Sequence, residues 1–132
     1  MQLNKFDTTK KANAGAFLHL VAPNGAKLYE QDADGKNDLA KPVGLYLLGL
    51  DSKAFQESKH KRANERRGEK VTSEMVDEES LQAGADLAVG WLNLEVDGDS
   101  EFSRANVLKI YQQYPWVREQ VDNFVANRAN FI

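Results

Sequence analysis

FSRANVLKIYQQYPWVREQVDNFVANRANFI, Phe102 to Ile132, reads as two helices with a fixed joint between them. Ser103 is placed to cap the first, since its side-chain oxygen can accept from the free N–H groups of the opening turn. Val107, Leu108 and Tyr111 follow at i, i+1 and i+4, one apolar stripe. Pro115 cannot continue that helix: it lacks the N–H and biases Tyr114 away from the helical region. It suits the first position of a new helix instead. From there Val117, Val121, Phe124, Val125 and Phe131 share one face, with Arg118, Glu119, Asp122 and Asn123 opposite.

An amphipathic helical pair needs something apolar to lie on. Upstream, Ala16–Ala22 reads as a strand, Pro23-Asn24-Gly25 as a tight turn, and Ala26–Gln31 as the return strand. A polar loop, DADGKNDLAK, leads to Pro42 and the apolar run Val43–Leu50, a third strand. The expected fold class is α+β: a small N-terminal antiparallel sheet, hairpin plus one strand, packed against C-terminal helices, helix-rich overall. Residues 1–15 are polar and read as a flexible arm. Asp51-Ser52 can cap a helix over Lys53–Arg67 that Gly68 ends. Apart from Phe55 this helix has almost no apolar residue, so residues 53–78 are expected to lie on solvent, move, or touch a partner. Thr72-Ser73-Glu74 opens a third helical stretch. Leu81, Ala85, Leu87, Ala88, Trp91 and Leu92 form its stripe, and the helix is expected to run to Leu92. Asp97-Gly98-Asp99-Ser100 is the turn into the C-terminal block.

The chain has 132 residues and a formal net charge of −3. That length implies one domain, burying roughly two-thirds of its unfolded surface. The mild charge is no global nucleic-acid signature. There is no cysteine, hence no disulfide framework and no thiol nucleophile. No run is long and apolar enough to span a membrane, and the first residues lack the apolar core of a signal peptide. A soluble protein that stays in the cytoplasm is expected.

Chemistry-bearing patterns are few. Glu30-x-Asp32-x-Asp34-Gly35 imitates the start of a calcium loop, but Lys41 stands where the closing bidentate Glu belongs. A plain acidic turn is the better reading. His19 and His60 have no second ligand at metal spacing. No nucleophile elbow, phosphate loop or dinucleotide fingerprint is present. No catalytic residue, cofactor or metal is expected. The cations of Lys53–Lys70, above all Lys59, Lys61, Arg62, Arg66 and Arg67, could neutralise phosphates. No aromatic follows Phe55 to stack bases, so a solvated face or a protein partner is preferred. Trp91 and Trp116 read as core residues, with an interface anchor as the alternative.

The run N-x4-Y-x3-P-W-V-R-E-Q-V-D-x-F-V-x-x-R-A-N-F rests on Asn106, Tyr111, Pro115, Trp116, Arg118, Glu119, Gln120, Asp122, Phe124, Arg128, Asn130 and Phe131. It resembles the C-terminus of the tail assembly chaperones of long-tailed bacteriophages. The likeness continues more thinly in Leu20, Pro23 and Gly25, in Gly49, Asp51 and Ser52, in Arg62, Asn64 and Arg66, and in Gly90-Trp91. It departs at Glu95–Asp99. The resemblance implies a non-enzymatic protein of the bacterial host cytoplasm that binds the tape measure protein. It would keep that protein soluble until tail tube protein polymerises around it, and be absent from the virion. Self-association is expected, because one such domain covers little of a long helical rod. Trp116, Arg118, Val121, Phe124, Arg128 and Phe131 are the candidate client or oligomer contacts. For Val117, Val121, Phe124 and Phe131, packing in the core outweighs client contact. The alternatives are a structural tail or head–tail component retained in the virion, and a nucleic-acid-binding accessory protein acting through the basic stretch.

Overall fold

A computed structural model describes all residues, 1–132. Its centre is β4, Gly44–Leu47, flanked by β1, Ala16–His19, and β5, Ala88–Leu92, in an antiparallel sheet of order β1-β4-β5. Successive side chains of a strand point to opposite faces. Leu45 and Leu47 therefore face inward, fully buried, with Leu18 and Trp91 level with Leu45. Tyr46 faces out and is exposed. The inner face is covered by α3, Ser73–Leu87, α4, Arg104–Gln113, and α5, Pro115–Ala126. Leu81, Leu87, Val107, Ile110, Tyr111, Val117, Val121 and Val125 close the core over the sheet. The protein is thus α+β and helix-rich, with C-terminal helices on a small sheet.

The helix starts follow the sequence. Ser52, Thr72 and Ser103 each accept from a backbone N–H three residues on, at Phe55, Met75 and Asn106. Pro115 opens α5. Val117, Val121 and Val125 are buried along its inner face. The helix ends at Ala126, and Phe131 reaches the core from a short 3-10 turn, Arg128–Phe131.

Three expectations are corrected. The stretch 1–15 is not an arm throughout: its second half is anchored, while Met1, Leu3 and Phe6 are exposed. α1, Thr9–Ala14, docks with Ala12 buried, and its carbonyl accepts from Gly49 N at 3.1 Å. Asn13 Oδ1 accepts from Lys53 N at 2.8 Å, and the Thr8 hydroxyl donates to Asp51. Thr8 and Asn13 anchor this end through hydrogen bonds rather than through an apolar stripe.

The second correction concerns the hairpin. Its turn exists: Val21 bridges Lys27, and Gly25 sits at φ 90°. The return strand then leaves the sheet. β2, Tyr29–Gln31, pairs instead with β3, Asn37–Pro42, from the stretch expected to be a loop. This ribbon is mostly exposed, so nothing apolar marked β3.

Third, the helix expected to reach Leu92 stops at Leu87, and Ala88–Leu92 is the third strand of the sheet. Ala88 turns to extended backbone at φ −78°, ψ 124°. β-branched Val89 and aromatic Trp91 suit a strand better than a helix interior, and Gly90 disfavours continuing the helix.

α2, Lys53–Glu65, lies on solvent with no residue buried, as its composition implies. It packs on α3 through Phe55 and through a polar seam described below.

Candidate functional site

The polar residues of the C-terminal motif are mostly tied inward. Gln120 mimics a neighbouring strand: its Oε1 accepts from Val21 N at 2.9 Å and its Nε2 donates to Val21 O at 2.7 Å. Asn106 is buried and donates to Asp99 Oδ2 and Glu101 O, clamping the loop before α4. That loop turns through Asp97 at φ 52° and Gly98 at φ 80°, the left-handed pair a two-residue hairpin demands. The bonds from Glu101 N and Asn106 to the Asp99 carboxylate lower its pKa. Tyr111 donates to Gly84 O at 3.0 Å, and burial pushes its phenol above the ordinary value.

Arg128 pairs with Asp51 through Nε at 2.7 Å and a terminal nitrogen at 2.9 Å. That pair, with the Thr8 hydroxyl, holds the Asp51 carboxyl down at about 2. Arg118 reaches the backbone and carboxylate of Asp77 at 2.9 and 3.1 Å. Val121 and Phe131 are buried and serve the core, so neither offers a surface to a partner. Phe124 is half-buried, edge-on to Phe131 at 5.7 Å. Trp116 is half-buried beside Tyr114, their ring centres 6.1 Å apart. Trp91 packs edge-on against Phe102 and donates to Ser100 O.

The basic stretch divides in two. Arg62 pairs with Asp86, which also accepts from Ser58 and Arg104. Arg66 pairs with Glu79 at 3.1 Å. Lys59, Lys61 and Arg67 are exposed. Two of the five candidate phosphate contacts are therefore already committed to α3. Such pairing explains how a helix with almost no apolar residue docks. A seam of ion pairs replaces the missing stripe, and sequence spacing alone could not reveal its partners.

Docking α2 creates a feature that no motif announced. An open groove of about 410 Å³ runs between α2 and α5 over α3. Val76, Glu79, Ser80, Ala83, Gly84 and Leu87 of α3 form its floor, Glu79 paired to Arg66, and Leu50, Phe55, Val125 and Ala126 add apolar surface. Lys59, Arg62 and Arg66 stand on the α2 wall, and Asp122 on the α5 wall. Arg62 Nε is buried with no acceptor in the chain. Burial raises the pKa of Asp122; Arg118 opposes that shift, and Asp77 adds to it. A legible signal was the pair of small residues on α3, Ser80 and Ala83, which leaves space where larger side chains would fill it.

Elsewhere, the outer face of the sheet exposes Tyr46, Val89 and Leu92 beside Phe17, whose ring lies 5.0 Å from Tyr46. The acidic turn is an ordinary one, Asp32 Oδ1 accepting from Asp34 N and Lys36 N. His19 Nε2 lies 2.7 Å from Leu28 O, which fixes its proton on that nitrogen. No group of three or more His, Asp or Glu side chains is placed to hold a metal ion. No helix is long and apolar enough to cross a membrane. No family model, curated protein or solved structure matches the chain.

Proposed function

We propose that this protein is a non-enzymatic tail assembly chaperone of a long-tailed bacteriophage, which holds the tape measure protein soluble in the host cytoplasm until the tail tube forms. The C-terminal motif suggests the reading, and the groove over α3 is the observation that carries it. A holdase for a long helical client needs an accessible apolar trough of helix width, and helix-in-groove docking is a recurring solution. The groove carries apolar surface along its floor from Val76, Ala83 and Leu87 with charges at its edges, which leaves a place for an apolar ridge.

The nucleic-acid alternative is weakened by Arg62 and Arg66, whose charges are already used inside the chain. The reading also calls for several copies per client, which sedimentation over a range of concentrations tests. For the function itself, the chain is tagged and expressed in infected or induced cells, and its partners are identified by mass spectrometry. Recovery of a tape measure protein before tails are complete, and not from finished particles, is expected. Finding the chain in purified virions would make it a structural component. Nucleic acid alone, lost on raising salt, would move the function to Lys59, Lys61 and Arg67.

A further inference from the structure

We infer that the α2–α3–α5 groove receives an amphipathic helix with a flank of carboxylates along α2 and a flank of cations along α5. The inference rests on the chaperone reading only for the client's identity; the chemistry of the occupant follows from the groove.

The occupant is a helix because of the floor. No strand edge lines the groove, so an extended peptide would lay its N–H and C=O groups on apolar surface with no partners. A helix satisfies its backbone internally. Ser80 and Ala83 allow its axis to come close, as small residues do at tight helix crossings. A small ligand would leave most of an open trough in water, whereas ligand clefts bury most of their guest.

The walls fix the charge. On the α2 wall Arg62 and Arg66 are neutralised by Asp86 and Glu79, which leaves the exposed Lys59 as the cation without an ion-pair partner. A carboxylate flank running beside α2 would meet Lys59. On the other wall Asp122 is half-buried, and a cation beside it would offset the cost of that burial. A helix basic on both flanks would repel Lys59, and one acidic on both would repel Asp122. The docked helix therefore has a defined direction as well as a defined face.

Two labelled peptides of about 20 residues, long enough to hold helical structure, test this. Both carry an alanine and leucine ridge. One has Glu on one flank and Lys on the other; the second has Lys on both. Fluorescence anisotropy with the full chain at low salt should show the first binding about tenfold more tightly, the sum of a few exposed ion pairs. Lys59→Glu should erase most of that preference. Ser80→Trp, at an exposed position on the floor, should abolish binding of both with the circular dichroism spectrum unchanged. Equal affinities, no binding, or binding indifferent to Ser80→Trp would overturn the inference. So would concentration-dependent self-association lost in Ser80→Trp, which would give the groove to a second copy. A tape measure protein captured equally by wild type and Ser80→Trp would leave the chaperone reading standing and remove the groove from it. Peptide binding as expected, with no tape measure protein captured, would do the reverse.

Discussion

At the scale of single residues, close approach decides the sign of effects that a propensity scale gets wrong. Gly84 lies inside α3, where replacing Gly by Ala normally gains about 1 kcal/mol. Here an added Cβ would stand 3.2 Å from the Tyr111 ring. That ring is only 2% exposed, and its hydroxyl is tied to the Gly84 carbonyl, so it cannot swing away. Gly84→Ala should therefore lower stability by about 1 kcal/mol net, overpacking outweighing the helix gain. Urea denaturation reads this, and a stabilised variant would show that the ring has room. The Asp51–Arg128 tie sets a pH dependence. Its carboxyl titrates at about 2 in the folded chain and near 3.8 when unfolded. The folded value is the lower one, so the contribution is complete above 3.8 and is lost as pH falls through 2. Melting curves of wild type and Asp51→Asn should differ by a constant amount near neutrality and converge toward pH of about 2. A gap that persists at the acid end would mean the carboxylate's charge is not what holds α1 and the C-terminal turn together.

At the scale of elements, what the sequence showed depended on how each element is held. α4 and α5 were legible because both bury an apolar face and both carry a start signal, Ser103 and Pro115. Strand β4 was legible as an apolar run bounded by turn residues. β3 was not, since a ribbon with little buried surface needs no alternation, and Lys41 and Pro42 read as loop. β5 was misread for a physical reason: Leu81, Ala85, Ala88 and Leu92 satisfy helical spacing, and only the long-range pairing of Leu45 with Trp91 and Tyr46 with Gly90 makes Ala88–Leu92 a strand. The candidate contacts on α5 separated in the same way. Periodicity placed Val121 on the inner face, while the partners of Arg118 and Gln120 lie on distant segments. The two classes should respond differently. Val121→Ala, at a fully buried position, should cost about 1–3 kcal/mol. Arg118→Ala, which loses a partly solvated pair, should cost no more than about 1 kcal/mol. Chemical denaturation of both variants checks the ranking, and a larger loss for Arg118→Ala would contradict it.

At the scale of the whole molecule, one carboxylate does most to hold the α2 wall of the groove in place. Asp86 accepts from Ser58 and Arg62 of α2 and from Arg104 of α4, so it joins the basic helix to the C-terminal pair across α3. Phe55 is the main apolar contact α2 makes with the core, and it sits at the helix's first turn. The remaining length of α2 is held by charge. Removing Asp86 leaves Arg62, whose side chain is 17% exposed, without its counter-ion. Asp86→Ala should cost about 2–4 kcal/mol, near the lower end of values for broken buried pairs. The loss should be local before it is global. α2 carries the chain's densest run of trypsin sites, and cleavage there requires the helix to open. Limited trypsin digestion should cut Asp86→Ala within residues 53–70 well before wild type, while Asp86→Asn, which keeps the acceptor oxygen, falls between. An opened α2 removes one wall of the groove, so the same variant should lose helical-peptide binding at temperatures where its core is still folded. Retained binding with α2 cleaved would mean that α3 and α5 suffice, and that the basic wall adds nothing to recognition.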